Sequence, residues 1–244
     1  MSKKSSSKTN FLAQGTILVI ASFVAKAIGM IYRIPLTHIL GDDGNGYYST
    51  ANEIYTIILM ISSFSLPLAV SRLVAEREYA GEVKNSYKVL ICSLRFAAVT
   101  GGILSILTFL LGGVITKYVM GVELASYALR VLAPAIFLFA LTGVLRGFFQ
   151  GHGTMVPTAV SQIIEQIINA IVSVAGAYVM LQYGLKLGEK KGDAELGTAL
   201  AAAGGTFGTV ASVGVALLFM IVIYLGYRNG FKRRMKKDKT RRRE

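Results

Sequence analysis

Residues 146–170 read RGFFQGHGTMVPTAVSQIIEQIINA, a basic, glycine-rich turn followed by an apolar segment. Four polar side chains lie inside the apolar part: Gln162, Glu165, Gln166 and Asn169. The last three lie three, four and seven residues after the first, a spacing that places all four on one face of a helix. A charged side chain at the centre of a bilayer costs about 3 kcal/mol. The pattern therefore predicts a membrane helix whose polar face turns away from lipid.

The composition of the whole 244-residue chain fits this interpretation, because 53% of its residues are hydrophobic and only 16% are charged. Each of its apolar segments is long enough to cross a hydrocarbon layer of roughly 30 Å as a helix. Lipid cannot satisfy an open backbone, so helices are the expected spanning element. We predict an all-α integral membrane protein, a bundle of six transmembrane helices over 11–32, 47–70, 89–116, 124–149, 156–181 and 196–227.

The net charge of +13 is distributed unevenly along the chain. Basic residues are concentrated at both ends, in the loop that follows the second segment, and at Arg146 near the end of the fourth segment. By the positive-inside rule, both termini are expected in the cytoplasm. Basic runs beside a membrane more often meet anionic lipid than nucleic acid, so we expect membrane lipids and no nucleic acid as partners. The predicted division is a disordered cytoplasmic polar tail over 1–10, a six-helix lobe over 11–227, and a basic cytoplasmic tail or inter-lobe linker over 228–244.

Catalytic groups are not evident in the sequence. The two histidines, His38 and His152, fall in predicted turns, and we find no metal-ligand spacing and no nucleotide-binding loop. We therefore expect no enzymatic activity, no metal and no cofactor. The two main external connections are predicted at 38–46 and 182–195.

Polar or small residues form a face on other segments as well. The first segment carries Ser22, Lys26, Gly29 and Arg33; the second carries Ser49, Asn52, Glu53, Thr56 and Ser63. In the sixth, Gly204 and Gly208 form a GxxxG pair, which favours close packing of helices.

A helix rises 1.5 Å per residue, which places Lys26, Glu53 and Arg130 in one layer about 9 Å below the outer surface. Glu165 lies near the middle of the membrane. One interpretation is an outward-open cavity in which the cations meet an anionic headgroup such as a diphosphate. The alternative is structural: Lys26 and Glu53 pair to lock two helices, and Glu165 is a satisfied core group.

Two stretches carry a resemblance to a known family: GTILVIASFVAKAIGMIYRIPLTHILGDDGNGYYSTANEIYTIILMISSFSLPLAVSRLVAE over 15–76 and LRVLAPAIFLFALTGVLRGFFQGHGTMVPTAVSQIIEQIINAIVS over 129–173. Both closely resemble the stage V sporulation protein B group of Gram-positive bacteria. That group belongs to the multidrug/oligosaccharidyl-lipid/polysaccharide exporter superfamily and is similar to the lipid II flippases. The resemblance implies two six-helix lobes around a central cavity. Lys26 matches a basic cavity position on the first helix of lipid II flippases, and Arg33 lies close to another.

The resemblance implies a plasma-membrane transporter that flips a lipid-linked anionic glycan precursor, such as lipid II, by alternating access. Lys26, Arg33 and Arg130 are the expected substrate-binding residues. Counter-charge or ion coupling is assigned to Glu53, Glu165, Gln162 and Asn169. The alternatives are a drug/cation antiporter of the same superfamily and a non-transporting scaffold in cell-wall or spore-envelope assembly. Only the first lobe is present, so we expect either a fragment of a longer product or a second lobe on another chain.

Overall fold

A computed structural model describes the backbone of residues 2–192 and 195–238. Its side chains are described for 14–190, 192, 195–236 and 238. The predicted all-α class is confirmed over the described residues. The elements are α1 (Ser2–Ser62), α2 (Leu66–Tyr79), α3 (Val83–Val114) with a π-helical continuation (Ile115–Val119), α4 (Ala125–Gly151), α5 (Val156–Lys191) and α6 (Leu196–Lys237). Five helical segments in this part of the chain are long and apolar enough to cross a membrane.

Helix α1 consists of two helices that meet at Gly41, where the backbone has φ 65° and ψ −173°. Glycine adopts such a conformation without the steric cost that a Cβ imposes. We call residues 2–40 the first arm and residues 42–62 the second arm. The turn predicted over 38–46 is therefore wrong in extent, because helix continues on both sides of this one residue. The backbone of 2–10, predicted to be disordered, is part of the first arm.

The second arm ends at Ser62, and α2 begins at Leu66 after a short turn. Pro67 lies in the first turn of α2, where its missing N–H costs no helical hydrogen bond. The proline therefore interrupts the segment predicted as continuous over 47–70, as expected for a proline within a membrane helix.

Helix α5 extends to Lys191, well beyond its apolar segment. The external loop predicted over 182–195 is wrong in length, because the connection is a turn that starts at Gly192; residues 193 and 194 lie outside the described residues. The extra helical turns pack against α6, where Gly184 faces Gly197. Helix α6 likewise continues to Lys237, so 228–237 are helical, while 239–244 lie outside the described part.

Glycines bring α5 and α6 into backbone contact. A Cβ added at Gly176 would lie 2.5 Å from the carbonyl oxygen of Gly204, and one at Gly208 would collide with Ser173. The GxxxG packing predicted for α6 is therefore confirmed. Helix α4 lies at the centre of the bundle, and the largest part of its surface is covered by α2, α3 and α6.

Candidate functional site: a polar groove between the two arms of α1

The polar face of α5 packs against the first arm of α1. Ser22 Oγ donates a hydrogen bond to Gln162 Oε1 at 3.2 Å, and Asn169 Nδ2 donates one to the hydroxyl of Tyr32 at 3.0 Å. Residue numbers rise together on both helices, so the first arm and α5 run parallel. Gln162 and Asn169 of this polar face therefore bond to a neighbouring helix.

Asn169 is buried, with 8% of its surface exposed. Its amide oxygen accepts a hydrogen bond from Ser173 Oγ at 2.9 Å, while its amide nitrogen donates to Tyr32. Tyr32 in turn lies on the wall of the groove described below. Asn169 therefore connects the core of α5 to the groove and positions the tyrosine there.

Glu165 forms a nearly buried ion pair with Arg146. The Arg146 Nη2 to Glu165 Oε2 distance is 2.7 Å, and the two side chains are 9% and 15% exposed. Arg146 Nε also donates to Ser161 Oγ at 2.9 Å. A buried charge needs such compensation, because its desolvation costs several kcal/mol. The structure thus places Glu165 as a paired group between α4 and α5.

The role of Arg146 was not predicted, because the charge pattern placed this residue only at the cytoplasmic end of the fourth segment. Its side chain instead points back into the bundle. Both residues stand in the opening stretch: Arg146 lies five residues before the end of α4 and Glu165 nine residues after the start of α5. The difference of about 6 Å in depth is one that a long arginine side chain can span.

A groove of about 680 Å³ lies between the two arms of α1. Its walls combine polar and charged side chains with apolar ones near one end: Gly29, Tyr32, Arg33, Tyr48, Ser49, Asn52, Glu53, Thr56, Ile57 and Met60. The polar faces predicted on the first two segments therefore meet each other. Asn52 and Thr56 donate hydrogen bonds to backbone carbonyls of their own helix. The charged side chains on the groove wall are Arg33 and Glu53.

Arg33 and Glu53 are both exposed in this groove. Lys26 is also exposed, and its spacing from Gly29 and Arg33 places it on the same helical face. Among the side chains that the structure describes, no salt bridge joins Glu53 to either cation. The helix-locking pair considered for Lys26 and Glu53 is therefore not formed, and the charges face the groove and its surroundings.

The structure does not bring Arg130 into this groove. Arg130 lies between α3 and α4 and lines a separate hollow with Lys117 and Glu123. Helical rise predicts the height of a residue along the bundle but not the direction in which it points. Lys26, Glu53 and Arg130 could therefore be assigned to one layer without sharing one cavity.

Long apolar helices around a polar groove define a multi-pass helical membrane protein. Its fold is similar to a solved structure described as the outward-facing conformation of a multidrug resistance MATE family transporter of the MOP superfamily. The TM-score is 0.73 at 18% sequence identity, and the match covers 91% of this chain and 46% of the other. The MOP fold predicted from the sequence is thus confirmed for this lobe.

The chain belongs to the polysaccharide biosynthesis protein family, whose sequence profile matches residues 11–242. It is 28% identical to stage V sporulation protein B of Bacillus subtilis (strain 168), over 89% of this chain and 39% of that protein. It is 29% identical to the lipid II flippase MurJ of the same strain, over 70% of this chain and 33% of that protein. These relatives confirm the predicted family and a multi-pass protein of the plasma membrane. The chain spans less than half the length of each.

Proposed function

We propose that this chain is the first lobe of a flippase that moves a lipid-linked, anionic glycan precursor across the plasma membrane. The observation that carries the proposal is the groove between the two arms of α1. Arg33 is exposed on the wall of this groove, and Lys26 lies on the same face of the first arm. A guanidinium and an ammonium suit a diphosphate, the first as a planar fork and the second as a point charge.

The proposed topology is six crossings with both termini in the cytoplasm. It is supported by helix directions: Gly44 lies near Thr198 and Tyr48 near Gly205, so the second arm runs parallel to α6. Helix α6 runs antiparallel to α5, and α5 runs parallel to the first arm. The two arms therefore run in opposite directions, as two successive crossings would. The positive-inside bias then places the basic end of α6 in the cytoplasm.

A second lobe is required to enclose the substrate under this proposal. The groove is open along the side of the lobe, and the relatives are more than twice as long as the matched region. We propose that a second six-helix lobe, on the same polypeptide or on another chain, closes over the groove. Alternating access then consists of the two lobes rocking about the bound headgroup.

The test is a headgroup-flipping assay with the complete two-lobed assembly in proteoliposomes. Lys26→Ala and Arg33→Ala are each expected to reduce the flipping rate by about ten-fold or more, because each removes a charge-assisted contact. Lys186→Ala, which removes an exposed cation that does not line the groove, is the matched control. Unchanged flipping in the Lys26→Ala and Arg33→Ala proteins would rule out the groove as the binding site.

Glu53 supports a second candidate, a drug/cation antiporter, since a carboxylate in the groove suits a cationic substrate or a proton. Under this alternative, Glu53→Gln abolishes efflux of a cationic dye. Under the flippase proposal, the same change leaves headgroup flipping within a few-fold of the unmodified rate or raises it. The third alternative, a non-transporting scaffold, requires that neutralising Lys26, Arg33 and Glu53 together leaves cell-wall assembly unaffected.

A further inference from the structure

A second polar hollow, which shares no lining residue with the groove, lies between α4 and the π-helical end of α3. It encloses about 460 Å³ and is lined by Leu110, Gly113, Val114, Lys117, Tyr118, Glu123, Leu124, Ser126, Tyr127 and Arg130. We call it the Arg130 hollow. It belongs neither to the groove between the arms of α1 nor to the ion pair of Glu165.

The charges in the Arg130 hollow leave one cation in excess. Lys117 Nζ lies 2.9 Å from Glu123 Oε2, so these two charges offset each other. No salt bridge to Arg130 occurs among the described side chains. The guanidinium therefore faces the hollow with its charge uncompensated, which suits a ligand carrying a single negative charge.

Two glycines of α3 position the arginine. Gly112 and Gly113 lie under its side chain, and a Cβ at Gly113 would be 3.2 Å from Nη2. The Arg130 side chain thus runs alongside α3, with one guanidinium nitrogen close to Gly113. The two glycines leave room for the guanidinium beside α3, where its planar set of N–H donors can bind the oxygens of a phosphate group.

The surroundings of the hollow have the character of a membrane interface. Leu110 and Val114 are 64% and 53% exposed next to it, and Tyr118 and Tyr127 are 77% and 40% exposed. Tyrosines at the level of the lipid headgroups, with aliphatic side chains below them, are typical of membrane proteins at that boundary. A ligand in this hollow would have its charged group at Arg130 and an apolar part along α3.

We propose that the Arg130 hollow binds the phosphate of an anionic membrane phospholipid, whose acyl chains lie along the exposed apolar face of α3. A phosphodiester with no balancing ammonium matches the single excess positive charge. Arg130, which was expected among the substrate-binding cations, thus recognises a structural lipid instead. The site is independent of the transport proposal.

The test uses the absence of tryptophan from the sequence. Val114→Trp introduces a single reporter at the hollow, and Phe207→Trp introduces one on α6 with the same 53% exposure of the native residue. The full chain is placed in vesicles of phosphatidylglycerol and phosphatidylcholine at equal mole fractions, with one or the other brominated. Quenching by each brominated lipid gives its local enrichment at the reporter.

At the Val114→Trp reporter, phosphatidylglycerol is expected to be enriched about five-fold, the effect of one basic residue at an anionic surface. In the Val114→Trp protein, a second change, Arg130→Gln, should abolish this enrichment, whereas Arg130→Lys should keep most of it. The control change Lys186→Gln should leave the enrichment unchanged. Phe207→Trp should report no enrichment. Helical content and elution volume verify that each variant is folded.

Equal quenching by the two lipids at Val114→Trp would overturn the proposal. So would an enrichment that survives Arg130→Gln. Inorganic phosphate tests the other source of the same chemistry: if it changes the fluorescence of Val114→Trp, while chloride at equal ionic strength does not and phosphatidylglycerol shows no enrichment, the hollow binds a soluble phosphate and the lipid assignment is wrong.

Discussion

At the scale of single residues, Arg146 and Glu165 determine how α4 and α5 are joined within the membrane. Each charge alone would be costly in an apolar bundle, but the 2.7 Å contact compensates both. Ser161 accepts a further hydrogen bond from the same guanidinium. The pair therefore favours one arrangement of the α4–α5 hairpin over others that would leave either charge unpaired.

Removing one member of this pair is expected to destabilise the fold strongly. Glu165→Ala leaves the Arg146 guanidinium buried and unpaired, which costs about 3–5 kcal/mol. For a chain of this size, such a loss lowers the melting temperature by about 10 °C. Thermal unfolding in detergent measures the change. Glu53→Ala, which removes an exposed carboxylate of the groove, is the matched control and should shift the melting temperature little.

The double variant Arg146→Met/Glu165→Leu tests the reason for that loss. Both charges are then absent, so the fold should recover most of the stability lost in Glu165→Ala. If the double variant melts as low as the single one, the cost comes from lost packing and not from an unpaired charge.

At the scale of helices, the contact between α5 and α6 depends on residues without side chains. Gly176→Ala places a Cβ 2.5 Å from the Gly204 carbonyl oxygen, so the two helices must separate. We expect a loss of stability of about 1–3 kcal/mol, the cost of overpacking. Gly226→Ala is the control in α6, because nothing lies within 4 Å of a Cβ there. It should be neutral or slightly stabilising, and equal effects of the two changes on thermal unfolding would contradict this account.

A second contact between helices, made by Glu78, holds the basic end of α6. Glu78 of α2 accepts contacts from His152 Nε2, at 3.2 Å, and from the guanidinium of Arg234. Phe231 of α6 packs against the ring of His152, with centroids 4.5 Å apart. Glu78 therefore connects the end of α4 to the last turns of α6, as a cluster outside the apolar segments.

Glu78→Gln is expected to release this end of α6, since it removes the negative charge shared by two basic groups. Limited trypsin digestion should cleave within 228–237 several-fold faster than in the unmodified protein. Glu76→Gln makes the same charge change two residues away, at an exposed position, and should leave the rate unchanged. Equal acceleration by both changes would mean that net charge, and not the contact, controls access.

The elements show what a sequence pattern can and cannot predict. Hydrophobic runs predicted where helices lie along the chain. The small residues of α6 predicted its close packing against another helix. The ends of α5 and of α1's two arms were misplaced, because residues such as Lys190 continue a helix in water as readily as they form a loop. The ion pair of Glu165 with Arg146 was not predicted, and Arg130 was assigned to the wrong cavity. Periodicity defines a face within one helix but does not specify which helix packs against that face.

At the scale of the whole molecule, the chain forms a lobe with two different polar surfaces. The groove between the arms of α1 carries charges of both signs, and the separate Arg130 hollow carries an excess cation. The proposed division of roles follows from this placement: the groove faces a second lobe and the substrate, and the hollow faces lipid. The transport proposal requires that the groove is filled with water and not with acyl chains.

The most direct test of that requirement is the reactivity of a single cysteine in the groove. In a Cys92→Ser background, Thr56→Cys places a thiol on the groove wall, and Leu218→Cys places one on the exposed apolar face of α6. A membrane-impermeant, charged thiol reagent is added to the outside of intact cells. The account predicts labelling of Thr56→Cys at least ten-fold faster than of Leu218→Cys, because a thiol reacts as the thiolate and needs water. Equal, slow labelling of both positions would show that the groove is not an aqueous site and would contradict the account.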